Sequence, residues 1–316
     1  MLIYCGLLLV SCKNPKETIP ESTKINFGTT NSQLSSGFLK RVDSFPSKYV
    51  RPRTVDVWLP SDYSEADTYA VVYMHDGQML FDSTATWNGQ EWKVDEIFGA
   101  LLDEKKIKKT IVVAIWNHSD IRWADYYPKK PFDLIPQKFR DSLITAGKKQ
   151  LGDAYIEFQS DAYLKFIVKE LKPVIDANFA TSKKREDTVI AGSSMGGLIS
   201  MYGFCEYPEV FGGAACLSTH WPGMMPFENN PIPESFFEYM NQNLPPSTTH
   251  KIYFDYGTET LDSSYLPYQE RVNEVLKGRG YDETTFRNLK FEGHDHSENS
   301  WSQRFQIPIQ FLLRNE

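Results

Sequence analysis

The sequence has 316 residues, 41% of them hydrophobic, 14% aromatic and 24% charged. That is long and apolar enough to bury a sizeable core, and it excludes disorder, collagen and coiled coil. Its 34 Lys and Arg against 41 Asp and Glu give a formal net charge of -7 with no basic block, so nucleic acid is not an expected partner.

At the N-terminus, Leu2 to Val10 form an apolar run too short for a bilayer span, which takes about 20 residues, and small Ser11 and Cys12 close it. The run has the shape of an export signal, although no positive residues precede it; an ordinary buried segment is the competing reading. Leu9-Val10-Ser11-Cys12 resembles the lipobox of bacterial lipoproteins, which implies lipidation of Cys12. The expected organisation is a signal over residues 1–12, a polar tether over 13–34 and one α/β domain over 35–316. The mature protein is then lipid-anchored to the envelope, on its periplasmic or cell-surface side, and meets the membrane only through that lipid. Cys205 and Cys216 are left for the domain. Both sit in apolar sequence and read as small hydrophobes, neither a disulfide framework nor nucleophiles.

From Ser35 onward, two β candidates, Gly37 to Phe45 and Thr54 to Leu59, predict a leading hairpin. Ala70 to Met74, Ile111 to Trp116, Thr188 to Ala191, Gly213 to Leu217 and Lys251 to Tyr256 are short, apolar on both faces and suited to the interior of a covered sheet. Helical spacing joins Leu164, Ile167, Leu171 and Ile175, then Tyr268, Val272 and Val275, then Trp301, Phe305, Ile309 and Leu312; Pro173 and Pro308 count against two of these helices. Strands alternating with helices predict a mostly parallel sheet with helices on both faces. The polar, aromatic, proline-marked segment 117–159 reads as either a substrate-covering lid or a surface insertion with its own short helix.

The stretch Thr188 to Tyr202 carries Gly192-Ser193-Ser194-Met195-Gly196 between an apolar strand and a helix. This is the G-x-S-x-G arrangement of a nucleophile elbow, with Gly192 and Gly196 expected where side chains would collide with backbone. Ser194 is then the nucleophile, and the Met195 amide faces a developing oxyanion. A serine hydroxyl needs a base, expected later in the chain after a carboxylate. His294 and His296 lie in a C-terminal loop, while His250, just before a strand, reads as a solvated flank. A metal role for the His-x-His pair is disfavoured, since no third His or Cys stands at zinc spacing. For the acid, Glu259 is nearer the strand end and Asp262 precedes a helix that it might cap; spacing alone does not choose. A second oxyanion donor is expected after Val71-Val72-Tyr73-Met74, from the amide of Gln78 or Gly77, with His75 and Asp76 holding that loop by hydrogen bonds.

These residues resemble the Putative esterase family of α/β-hydrolases, which includes esterase D and the enterochelin, feruloyl and acetylxylan esterases, together with mycobacterial mycolyltransferases. The similarity spans about Gly37 to Leu313 and rests on Tyr73-Met74-His75-Asp76-Gly77-Gln78-Met79-Leu80-Phe81-Asp82, on Gly192 to Ser200, on Tyr207-Pro208-Glu209-Val210-Phe211-Gly212 and on His296-Ser297-Glu298-Asn299-Ser300-Trp301. It implies an α/β-hydrolase fold and selects His296 as the base, because the family's base is followed two residues later by Glu and five later by Trp. It places the acid in the Gly257-Thr258 loop, favouring Asp262 over Glu259, and implies that Leu217-Ser218-Thr219-His220-Trp221 lines the cleft through Trp221.

The expected activity is serine ester hydrolysis through an acyl-enzyme, without metal or organic cofactor, on a small-molecule or polysaccharide-linked ester. Trp87, Trp92, Trp116, Trp123, Tyr126 and Tyr127 are candidates to stack on sugar or feruloyl rings, with Trp87 and Trp123 foremost; a place in the core is the competing reading. Alternatives are a siderophore esterase and a non-catalytic carbohydrate-binding protein on a hydrolase scaffold.

Overall fold

The computed structural model describes residues 25–30, 32–152, 156–224 and 228–315. Its strands are β1 (Gly28–Thr29), β2 (Phe38–Phe45), β3 (Arg53–Leu59), β4 (Ala70–His75), β5 (Thr110–Ile115), β6 (Thr188–Ser193), β7 (Gly213–Leu217), β8 (Lys251–Gly257) and β9 (Phe286–Phe291). They form one nine-stranded sheet in the order β1-β2-β3-β5-β4-β6-β7-β8-β9. Pairing is antiparallel from β1 to β5 and parallel across β5, β4, β6, β7, β8 and β9. The leading hairpin is there, with Leu39 opposite Trp58 and Val42 opposite Val55.

Every residue of β4, β5, β6 and β7 is buried, as continuous apolar runs require when both faces of a sheet are covered. Side chains alternate between two cores: Val71 and Tyr73 enter one, Ala70, Val72 and Met74 the other. The covering helices are α1 (Val94–Asp103), α2 (Arg122–Tyr126), α3 (Lys129–Leu134), α4 (Gln137–Leu151), α5 (Ser160–Lys165), α6 (Lys172–Asn178), α7 (Met195–Glu206), α8 (Ile232–Asn243), α9 (Leu266–Gly278), α10 (Glu298–Arg304) and α11 (Gln306–Leu313). Leu164, Ile175, Leu198, Phe236 and Val272 pack on one face; Phe98, Trp301, Phe305 and Ile309 pack on the other. Each such buried side chain contributes roughly 1.5–3 kcal/mol.

The two suspect prolines are accommodated in different ways. Between α5 and α6 the helix widens to a π-turn over Phe166–Leu171, and Pro173 falls in the first turn of α6. The missing amide thus sits where the α-helical ladder is already interrupted. The helix expected from Trp301 to Leu312 is two helices, broken at Phe305, with Pro308 in the first turn of α11, where amides lack intrahelical acceptors anyway.

Two expectations need correction. The fold begins before residue 35: Gly28 and Thr29 pair with Arg41 and Lys40, and Phe27 sets its ring edge-on to Phe179 at 5.1 Å. Two apolar residues in a polar stretch, Ile25 and Phe27, were enough to hold the end of the tether against the core. His250 is not a solvated flank but is 4% exposed, its Nε2 bonded to the Pro208 carbonyl at 2.8 Å. The segment 117–159 contains α2, α3 and α4; its first part is anchored by the buried Arg53–Asp125 pair at 3.0 Å and by the Gln159 amide to the Ala124 carbonyl. Cys12 and the signal-like run lie outside the described residues, among which no helix is long and apolar enough to cross a membrane. Cys205 and Cys216 are buried free thiols, and burial pushes both up, away from thiolate chemistry.

Candidate active site

The carboxyl ends of the parallel strands bring the chemistry together. β6 ends at Ser193, and Ser194 turns the chain into α7 with φ 57° and ψ -121°, a conformation that an L side chain rarely adopts. The turn is held from three sides. The Ser194 amide donates to the Leu217 carbonyl at 3.0 Å, and its carbonyl accepts from the amides of Gly197 at 3.0 Å and His220 at 3.2 Å. A Cβ at Gly192 would stand 2.9 Å from the Gly196 backbone, so glycine is obligatory there. At Gly196 the sequence expectation was too strong, because a Cβ would make ordinary contacts of 3.5 Å with Asp76 and His75.

His296 lies in the loop before α10. Its Nδ1 is 2.5 Å from Asp262 Oδ1, its amide donates to Thr260 Oγ1, and Trp301 and Tyr265 stand edge-on to its ring. With Nδ1–H given to the carboxylate, Nε2 is the nitrogen left as a base. Asp262 is 1% exposed, in the short 3-10 turn after β8, and its Oδ2 accepts from the Gly257 amide at 2.7 Å and the Ser218 hydroxyl at 2.5 Å. Burial alone would push this carboxyl up; His296, Ser218 and Gly257 outweigh it and hold the group below the usual carboxylate range. Glu259 is exposed and only its amide is engaged, donating to the His294 carbonyl. The imidazole bond thus goes to Asp262. His294 Nδ1 sits 3.4 Å from the Ser300 carbonyl.

Ser194 and His296 line one cavity of about 550 Å³, together with Gln78, Ser193, Glu298, Arg122, Trp87 and Trp301 among others. Met195 opens α7, so its amide has no intrahelical acceptor. Gln78 lies in the short turn after β4, and Gly77 is obligatory there because a Cβ would come within 2.8 Å of the Ala114 carbonyl carbon. This loop is built on strain. Asp76 has φ 57°, and its carboxylate is gripped by Arg122 through Nε at 2.8 Å and Nη2 at 2.7 Å and by Asn117 Nδ2 at 2.6 Å. Arg122 and its hydrogen bonds hold Asp76 below the usual carboxylate range against the effect of burial. His75 bonds Tyr163 through Nδ1 at 2.8 Å, and burial lowers it to about 3, which keeps it neutral. Four residues of positive φ, Asp76, Ser194, Ser218 and Thr260, border the site, a concentration of strain expected where geometry is over-determined.

The aromatic candidates divide. Trp87, 85% exposed, stands on the cavity rim, and Trp92 and Trp301 pack together beneath it. Trp123 is 40% exposed, with its ring tilted against Tyr127 at 5.5 Å, and it is not among the residues that line the cavity. Trp221 does not line the cleft, contrary to expectation: it is fully buried among Phe236, Phe237 and Phe254, where its apolar area is best spent. Trp116 bonds Asp56, and Tyr126 and Tyr127 are core. Sequence reasoning missed Arg122, Asn117, Ser218 and Arg304, whose partners are remote in the chain. Among the described residues no group of three or more His, Cys, Asp or Glu is gathered as metal ligands.

Comparison with known proteins adds independent findings. The family model described as "Putative esterase" matches residues 47–307. An endo-1,4-beta-xylanase/feruloyl esterase of Xylanibacter ruminicola is 25% identical over 198 residues, which is 61% of this chain and 23% of that protein. The fold is similar to the CE1 ferulic acid esterase of the anaerobic fungus Anaeromyces mucronatus, at TM-score 0.61 and 20% identity over 92% of this chain and 95% of that one. It is also similar to the Shigella flexneri enterobactin esterase solved in the presence of enterobactin, at TM-score 0.63 and 14% identity over 90% and 60%.

Proposed function

The chain belongs to the Putative esterase family and is a carboxylic-ester hydrolase, and from that premise we propose that Ser194, His296 and Asp262 form its catalytic triad. One observation carries this reading: a strained serine at a strand-to-helix turn shares a cavity with a histidine whose far nitrogen is fixed on a buried carboxylate. His296 Nε2 takes the Ser194 proton as Oγ attacks the ester carbonyl carbon. The oxyanion is held by the amides of Met195 and Gln78, with Gly77 shaping the second donor's loop. Collapse breaks the bond to the alcohol oxygen, which leaves with the proton from His296; water, deprotonated by the same nitrogen, then releases the acid. The order Ser, Asp, His along the chain agrees with the scheme. Ser194→Ala should abolish turnover of p-nitrophenyl acetate and labelling by a fluorophosphonate with the circular dichroism spectrum unchanged; retained turnover would overturn the triad.

For the substrate, the reading is a feruloyl or acetyl ester on a polysaccharide. Trp87 offers an exposed aromatic face at the rim, suited to stacking on a planar acyl group or a sugar ring. Charge disfavours a ferric catecholate. Among the described residues Arg122 is the single Lys or Arg in the lining, it is already engaged by Asp76, and Glu298 adds a second carboxylate. The similar ferulic acid esterase supports the reading, whereas the similar enterobactin esterase supports the rival. Preferential hydrolysis of a catecholate trilactone over feruloylated or acetylated xylan would decide for the rival. Anchoring through Cys12 belongs to the same proposal; mass spectrometry of the protein from a membrane fraction should find a diacylglyceryl group on that residue.

A further inference from the structure

The loop after β7 has an occupation that the cleft does not explain. Ser218 has φ 40°, and its amide donates to the Asp255 carbonyl at 2.9 Å. Its hydroxyl donates to Asp262 Oδ2 at 2.5 Å and accepts from Arg304 Nη2 at 2.7 Å and Trp301 Nε1 at 3.0 Å. Arg304 Nη2 also lies 3.1 Å from Asp255 Oδ1 and 3.8 Å from Asp262 Oδ2, and the three charged side chains are exposed by 1% or less. Arg304 Nε and Nη1 have no hydrogen-bond partner, and the guanidinium carbon sits 5.1 Å from the Phe291 ring centroid. Burying a cation with idle donors costs stability, and an apolar side chain of similar volume would avoid that cost. Its retention calls for a task.

We propose that Ser218 and Arg304 are positioning residues for ester hydrolysis, holding the Asp262 carboxylate ionised and aimed at His296, with Asp255 as the counter-charge to Arg304. The inference rests on the triad reading above. Two buried carboxylates that both lie against Ser218, Asp262 at its hydroxyl and Asp255 at its amide, would without a cation favour holding a proton on one of them. A protonated Asp262 could no longer stabilise the imidazolium. With Arg304 in place, Asp255, Arg304 and Asp262 sum to one negative charge, and the cation formed when His296 takes the Ser194 proton brings the group to neutrality. Burial pushes Asp255 up, with Arg304 opposing the effect, while Asp262 is held down, so of the two carboxylates Asp262 is the one more readily kept ionised.

The test is the pH profile of kcat/KM in the full-length protein, which a purely structural role would not move. Arg304 places positive potential near both Asp262 and His296, so removing it raises their proton affinities and shifts the acid limb to higher pH. Arg304→Met should move that limb up by about one pH unit, with kcat falling and KM little changed, and Arg304→Lys should restore most of the wild-type profile by returning the charge. The double variant Arg304→Met/Asp255→Asn removes the cation and its counter-charge together, so its acid limb should fall back toward the wild-type position. Ser218→Ala should lower kcat about tenfold at unchanged KM. An acid limb that stays in place in Arg304→Met, or that moves equally far in the double variant, while Ser194 still takes a fluorophosphonate, overturns the inference alone. Wild-type turnover in Ser194→Ala would overturn the triad, and this inference with it.

Discussion

Replacing Ser194 by Gly should destroy activity and make the protein more stable. The Ser194 φ of 57° and ψ of -121° belong to a region that is essentially reserved for glycine and costs a side chain of order 1–3 kcal/mol. Glycine removes that cost but gives back about 0.4–1 kcal/mol through the greater freedom of the unfolded chain. The backbone bonds of the turn, to Leu217, Gly197, Leu198 and His220, do not involve the side chain and survive the change. The net gain is about 1 kcal/mol, or about 2 °C in Tm for a domain of this size. Ser194→Ala is the right reference, since it loses the hydroxyl but keeps the strained Cβ. Differential scanning calorimetry of both inactive variants in parallel would measure the difference, and a Gly variant no more stable than the Ala variant would refute the claim that strain is stored at this turn.

Other outcomes follow from the same geometry. Asp262→Asn should lower kcat by about 10³–10⁴-fold by leaving the imidazole without its counter-charge. The folded-state pKa of Asp262 is depressed, so its ionised form stabilises the fold above the unfolded carboxylate value, and that contribution is lost as pH falls through the lower folded value. Urea titrations at stepped acid pH should therefore show the gap between wild type and Asp262→Asn closing. His75 and His220 are lowered by burial to about 3 and about 4, so the unfolded chain takes protons first, and stability should decline as pH drops below about 6.5. The His75 C2–H resonance should accordingly stay fixed between pH 8 and 4. Arg122→Ala should release Asp76 and the Gln78 loop, cutting kcat about 10²-fold, in stopped assays with p-nitrophenyl acetate. Trp87→Ala should raise KM for a feruloyl ester and leave that for p-nitrophenyl acetate nearly unchanged; equal effects on both would remove the stacking role.

Much of the site is legible in one dimension because some of its parts are local. A strand, a turn that only Gly192 tolerates and a helix follow one another over residues 188–206, so the pattern that marks them is contiguous in the sequence. The buried strands announce themselves as continuous apolar runs for the same reason. Asp262 and Glu259 are three positions apart and chemically alike, so no local signal separates them. The choice depends on Ser218 and Gly257 closing around one carboxylate and leaving the other in solvent. Trp221 misled because an aromatic side chain in a loop after a strand reads the same whether it faces a cleft or a core. Arg122 and Arg304 were invisible for a related reason: each finds its carboxylates 42 or more positions away.

The sequence by itself determined the fold class and the strand-to-helix turn at Ser194, while the resemblance of the frame His296 to Trp301 to the esterase family singled out the histidine. The first two follow from periodicity and from steric tolerance at single glycines, properties of neighbouring residues. Only the tertiary structure decided which carboxylate holds the imidazole, which tryptophan meets solvent and which cations are buried beneath the site. Those outcomes are set by desolvation and by the charges and dipoles that folding gathers from distant positions, and such sums exist only once the chain has closed on itself.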